Sequence, residues 1–257
     1  MSKVILITGI SNSFGKVLVS ELSHAGHIII AGIRGLHNEN SDVAKKLSTL
    51  PNVEVVSLDD TNEISIECVV AYINTKYGTI DVLVNNSGLV GYGLFEADSL
   101  ENMKQLFESN LLNVLRICNA VVSSMKTNTS GLIINISSRS GMFTHLVNLK
   151  PGTTEFNLQT TVENLLLDFR QHGISYVTMQ PGSYKDTQEF RSVNDRDLIL
   201  KLYGKEAQLA FDKFGTVICE KLCEFKNDSS QVAQGILTLI EMDKNLLPYQ
   251  YPRIFKN

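Results

Sequence analysis

No tyrosine lies between Tyr92 and Tyr176, although the chain carries eight in all. Chemistry that needs a phenol in that interval is excluded. Basic runs are missing too, and a formal net charge of -4 leaves no positive field to attract nucleic acid or an anionic membrane. No apolar run approaches the roughly 18 residues of a membrane-spanning helix. At the N-terminus, Val4-Ile5-Leu6-Ile7 gives way to Thr8-Gly9 too soon for the apolar core of a signal peptide. The expected partner is therefore a small molecule, with neither nucleic acid nor membrane, in the cytoplasm. Cysteine is sparse: Cys68, Cys118, Cys219 and Cys223 are scattered, which argues for reduced, mostly core positions. Cys219 and Cys223 stand one helical turn apart, but no His or Cys lies close by to complete a site, so no metal is expected.

What the chain does contain is 257 residues with 43% hydrophobic side chains, enough for one substantial core, and a single domain spanning 1–257 is expected. Short Val- and Ile-rich runs alternate with longer helical patterns, the order of repeated β-α units around a parallel sheet. Strands are expected at Lys3 to Thr8, His27 to Ile33, Val53 to Leu58, Ile80 to Asn85, Gly131 to Ile136 and Ile174 to Gln180. Tyr251-Pro252-Arg253-Ile254 supplies a short last one. Continuous apolar runs such as Val4-Ile5-Leu6-Ile7 suit strands covered on both faces. Phe14, Leu18 and Leu22 recur at helical spacing, as do Val162, Leu165, Leu166 and Phe169, so each set marks a helix face packed on the sheet. Asp228 is placed to cap a further helix carrying Val232, Ile236, Leu237 and Ile240. Together these predict an α/β Rossmann fold, a doubly wound parallel sheet of about seven strands with helices on both faces. The charge-rich stretch around 184–214 follows the sixth strand, and reads either as a substrate lid over the crevice at the strands' carboxyl ends or as a surface helix pair.

Thr8-Gly9-Ile10-Ser11-Asn12-Ser13-Phe14-Gly15 follows the first strand and opens the first helix, where backbone N–H groups and the helix dipole can bind a pyrophosphate. Alone, the string is merely a tight turn. In this chain, however, Asn85-Asn86-Ser87-Gly88 follows the fourth strand, Ile136-Ser137-Ser138 ends the fifth and Gln180-Pro181-Gly182 ends the sixth. In joint order and spacing these strings resemble the short-chain dehydrogenase/reductase family over nearly the whole length. The resemblance implies a nicotinamide-nucleotide site. It places Thr8, Gly9, Ser11, Asn12, Ser13, Phe14 and Gly15 in the pyrophosphate turn, Asp59 at the adenine, Asn85, Ser87 and Gly88 beside its ribose, and Pro181 and Gly182 at the end of the sixth strand. Ser13 departs from the family, whose glycine there permits close approach of the backbone to the cofactor. Arg34 follows Ile33 just past the second strand, where an NAD-preferring member often carries an acid. A guanidinium pairs with a 2'-phosphate, so NADP(H) is favoured over NAD(H).

In the family, a serine at the end of the fifth strand polarises the substrate carbonyl and an asparagine helps to build the active site. A tyrosine and a lysine one helical turn apart move the proton and hold the nicotinamide ribose. Ser138 matches the serine, with Ser137 as the alternative one register away, and Asn110 matches the asparagine. Counting along from Ser138 puts the tyrosine position at Pro151 and the lysine position at Glu155. A small insertion cannot restore the pair, because the interval holds no tyrosine to shift. Tyr72-Ile73-Asn74-Thr75-Lys76 has the right spacing but precedes the fourth strand on an outer helix, and reads as coincidence. Pro151 and Gly152 also oppose a helix interior, so this helix is expected to start later, with Thr153 or Thr154 at its cap and Glu155 in its first turn. By position, the substitute proton donors are His145, which titrates in the right range, and Glu155 if burial keeps it protonated.

Two functions fit these residues. One is an atypical oxidoreductase, or a non-redox derivative, that binds NADP(H) and acts on a small molecule without the tyrosine and lysine. The other is a catalytically inactive pseudoenzyme serving as a nucleotide sensor or partner subunit. Members of the family commonly pair through the helices that follow the fourth and fifth strands, so a homodimer or homotetramer is expected on either reading.

Overall fold

Four consecutive apolar residues, Val4–Ile7, are stable only where both faces are covered, and in the computed structural model they form β1, buried throughout. The structure describes residues 2–88, 91–92, 99–137, 157–158, 160–161, 164, 169–181, 191–192, 201–206, 208–210, 212–213, 216, 228–248 and 250–253. From β1 the chain passes through α1 (Ser13–His24) to β2 (Ile28–Ile33) and through α2 (Ser41–Leu47) to β3 (Val53–Ser57). α3 (Glu63–Tyr77) then carries it back to β4 (Val82–Asn85), which pairs with the opposite side of β1. Next come β5 (Gly91–Tyr92), α4 (Leu100–Phe107), a π-helical turn at Glu108–Leu112, α5 (Asn113–Thr127) and β6 (Gly131–Ile136). β7 (Ile174–Pro181), β8 (Arg191–Ser192), α6 (Ser229–Glu241) and β9 (Gln250–Arg253) complete the described elements.

The seven-stranded sheet runs β3-β2-β1-β4-β6-β7-β9 with parallel pairing throughout. Its two faces bury separate cores. Ile5 and Ile7 of β1 pack with Phe14, Leu18 and Leu22 of α1 and with Val232, Ile236 and Ile240 of α6, while Leu6 packs with Ile73 of α3 and Ile117 and Val121 of α5. The period-2 alternation of a strand thus feeds both helical layers. Asp228 caps α6 as expected, accepting from the Ser230 amide at 3.1 Å. Leu237 is only partly buried beside its neighbours on that helix, and Cys68 is a correction to the core expectation for cysteine, since it faces solvent while Cys118 is buried.

Within 184–214, residues 191–192 form β8 in parallel pairing with β5, and residues 201–206, 208–210 and 212–213 are helical, the rest of the stretch lying outside the described residues. Val162, Leu165, Leu166, Cys219, Cys223 and Ile254 also lie outside them, whereas Phe169 is buried. No described helix is long and apolar enough to cross a membrane. The order of winding fixes the functional geography. The chain leaves β1 toward β2 on one side and returns to β4 on the other, so the connections diverge and leave a crevice at the carboxyl ends of β1 and β4.

Candidate functional site

That crevice is a cavity of about 350 Å³, walled by Thr8, Gly9, Ile10, Ser11 and Asn12 from the turn after β1 and by Gly32, Ile33 and Arg34 at the end of β2. Leu58 and Asp60 close it after β3, and Ser87, Gly88, Ser109 and Asn113 close it from the β4 and α4–α5 side. The two central turns are stitched together. The Thr8 hydroxyl accepts from the Asn86 and Ser87 amides at 3.1 and 3.2 Å, and the Asn86 side chain donates to the Gly9 carbonyl at 2.7 Å.

Both glycines of the turn are sterically required. Gly9 has φ +64°, and a Cβ there would stand 2.8 Å from the Ser87 backbone; a Cβ on Gly15 would stand 2.6 Å from the Ile10 Cα. Asn12 ends the turn as the N-cap of α1, accepting from the Gly15 amide at 2.6 Å. The helix therefore opens at the cavity with its positive dipole end inward, an arrangement suited to a phosphate group. Ser13, where the family has glycine, is exposed at the first helical position and lies outside the cavity wall. Phe14 is 3% exposed and belongs to the core with Leu18 and Leu22, supporting the turn from beneath.

The remaining expected residues divide. Arg34 reaches the wall, joined there by Glu39 and Asn40 from the following loop. Asp59 uses its carboxylate locally, accepting from the Thr61 amide at 3.0 Å and the Thr61 hydroxyl at 2.7 Å, and its neighbours Leu58 and Asp60 face the cavity instead. Asn85 is turned into the sheet, where it stands in register with Asn135 and donates to its side-chain oxygen at 2.6 Å and to Cys118 Sγ at 3.4 Å. Burial pushes the Cys118 thiol up to about 12. Asn110 is buried within the π-helical turn, its Oδ1 3.5 Å from where a Cβ of Gly88 would sit, and Ser109 of that turn and Asn113 at the start of α5 line the wall. Pro181 is buried at the end of β7, paired with Arg253. Ser138, His145, Pro151, Thr153, Thr154, Glu155 and Gly182 lie outside the described residues; Ser137, at the end of β6, donates its amide to the Met179 carbonyl at 2.9 Å.

The stray Tyr72/Lys76 pair is accounted for by packing. Lys76 Nζ lies 2.9 Å from both the Tyr72 hydroxyl and Glu54 Oε2, Tyr77 donates to Glu54 Oε2 at 2.8 Å, and Tyr72 donates to Glu54 Oε1. This cluster fastens α3 to β3 and takes no part in the cavity wall.

Several of the lining residues that sequence reasoning did not find fall into two groups. Ser109 and Asn113 lie within a turn of Asn110, a signal that could have found them. Glu39, Asn40 and Gly32 had none, because their position depends on how a loop folds back and on Gly32 leaving room for Leu58, whose Cδ2 is 2.5 Å from where a Cβ would be.

Comparison with known proteins agrees with this layout. The family model for short chain dehydrogenases matches residues 3–198. A 3-ketodihydrosphingosine reductase of Bacteroides thetaiotaomicron is 31% identical, over 96% of this chain and 93% of its own. Among solved structures, a short-chain dehydrogenase from Streptomyces avermitilis has a TM-score of 0.77 at 24% identity, covering 98% of this chain and 87% of that one. ElxO with NADP bound has a TM-score of 0.75 at 22% identity, covering 97% and 96%. A parallel sheet wound in this order, a glycine turn sealed against the β4 loop and a family match across most of the chain lead to one assignment: the protein belongs to the short chain dehydrogenase family.

Proposed function

We propose that the protein binds NADP(H) at this cavity and acts on a small carbonyl compound, moving the proton by a group other than the family's tyrosine and lysine. The observation that carries the reading is the cradle itself: two glycines whose Cβ atoms would collide with backbone, beside an open helix start. A cradle this tightly specified suits the flat approach of a pyrophosphate. Arg34 at the rim supports a 2'-phosphate. ElxO, solved with NADP, supports the same cofactor, and the Bacteroides reductase supports a ketone as the first substrate to try.

When bound, NADPH supplies hydride. This chain's residues divide the rest of the work: backbone amides of the Gly9–Asn12 turn hold phosphate, Arg34 holds the 2'-phosphate, and Ser87 and Gly88 line the path between them. Ser138 polarises the carbonyl, Asn110 supports the active site, and His145 or Glu155 supplies the proton. Without any general acid the barrier rises by roughly 3 to 5.5 kcal/mol, a loss of about 100- to 10,000-fold.

Fluorescence titration with NADPH should give a dissociation constant in the micromolar range or tighter, weakened at least about tenfold by Gly9→Ala, which combines backbone overlap with a left-handed φ. Failure of both NADPH and NADH to bind at millimolar concentration overturns the proposal. A second reading, an inactive nucleotide sensor or partner subunit, is favoured by Pro151 and Glu155 at the catalytic positions of a chain whose cradle is intact. Tight NADPH binding with no turnover of ketone substrates, unchanged by His145→Ala or Glu155→Gln, would select it.

A further inference from the structure

Asn113 opens α5 on the cavity wall, and its side chain is not free to turn. Arg116, which stands away from the wall, donates from Nη1 to Asn113 Oδ1 at 2.9 Å and to Glu108 Oε1 at 2.5 Å. One guanidinium nitrogen thus ties the residue that opens the π-helical turn to the residue that follows it. The Arg116 side chain is only 25% exposed, which shields both bonds from the screening that weakens surface pairs. Its Nε lies 3.9 Å from Glu63 Oε1 on α3, a longer and more exposed contact. A guanidinium can only donate, so it decides which way the Asn113 amide faces. The oxygen is taken by Arg116, and Nδ2 with its two donors is what remains for the cavity.

We infer that Arg116 is a positioning residue for the nucleotide site: it clamps the π-helical turn and holds Asn113 so that Nδ2 donates to a hydrogen-bond acceptor on the bound nucleotide. This rests on the nucleotide reading above. Without the clamp the amide can flip to present its oxygen, and the turn carrying Ser109 and Asn110 loses the tie between its ends. A ligand that fits only the held arrangement is then weakened in proportion to the molecules that leave it. Asn113 stands on the β4 side of β1, whereas Arg34 stands at β2 on the other side. The loss should therefore fall equally on NADPH and NADH.

The test measures dissociation constants for NADPH and NADH, with melting temperatures, in the wild type and in Asn113→Asp, Asn113→Leu, Arg116→Met and Arg116→Lys. Asn113→Asp separates binding from scaffold, because a carboxylate still accepts from Arg116 but has no donor to offer the cavity. It should melt no lower than wild type and still bind both cofactors about tenfold more weakly. Asn113→Leu removes the donors without adding charge, and should weaken both cofactors to a similar degree. Arg116→Met should weaken both by about three- to tenfold. Since both bonds leave one nitrogen, the ammonium of Arg116→Lys should recover most of that loss. Weakening in Asn113→Asp alone, with Asn113→Leu like wild type, would be repulsion of phosphate and overturns the donor role; an unchanged Arg116→Met overturns the clamp. Both outcomes leave the nucleotide reading standing. A wild type that binds neither cofactor overturns that reading, and this inference with it.

Discussion

His27 shows how one residue ties the fold to pH. It is 4% exposed at the start of β2, its Nδ1 accepts from the Lys3 amide at 3.3 Å, and Nε2 has no partner among the described residues. Burial holds its pKa below the usual 6.5, with Glu241 pulling it up and Lys3 pushing it down. The folded ring therefore binds fewer protons than the unfolded one over this range, so its contribution to stability is complete above about 6.5 and is lost as pH falls through the depressed value. Denaturant midpoints for wild type and His27→Gln should differ most above pH 7 and converge toward pH 5; a constant gap would contradict this origin. At the same scale, the glycine turn was legible in the sequence because Gly9 and Gly15 answer to backbone sterics within a few residues. The step from Asp59 to Asp60 was not. A turn hydrogen bond to Thr61 decides which carboxylate faces the cavity, and adjacent acids look alike in a string.

At the level of elements, strands were the clearest signal, since β1, β2 and β4 are uninterrupted apolar runs covered on both faces, and each begins and ends within a residue or two of its expected span. The last strand came one residue earlier than expected, at Gln250. The π-helical turn at Glu108–Leu112 had no such signal, because it differs from an α-helix in hydrogen-bond register and not in the type of residue it uses. Likewise the two-residue β5 and β8 are too short to carry a pattern. The start of α6 was readable from its cap alone. Asp228 accepts from the Ser230 amide, and those hydrogen bonds hold its carboxyl below the usual carboxylate range. Asp228→Ala should cost about 0.5–2 kcal/mol in chemical denaturation, while Asp228→Asn, which keeps an acceptor, should cost less. Equal losses in the two variants would assign the role to charge instead of capping.

Across the whole molecule, the cavity wall is drawn from segments far apart in sequence, from Thr8 to Asn113, that meet only because the sheet is wound outward from β1 in both directions. A ligand seated there contacts the turn of β1, the rim of β2, the end of β3 and the β4 side together, and no unfolded chain can offer that combination. Binding should therefore stabilise the native state as a whole rather than one loop. NADPH at about 100 times its dissociation constant would add roughly 2.7 kcal/mol. For a chain of this size each kcal/mol corresponds to about 2–4 °C, so the melting temperature should rise by roughly 5–11 °C. Gly15→Ala separates the site from the scaffold in the same experiment, because its Cβ would press on the Ile10 backbone at 2.6 Å and spread the turn. That variant should melt lower than wild type without ligand and lose most of the shift with it. A full shift in Gly15→Ala would mean that the nucleotide is held elsewhere, and the crevice between β1 and β4 would then no longer be the place to look for function.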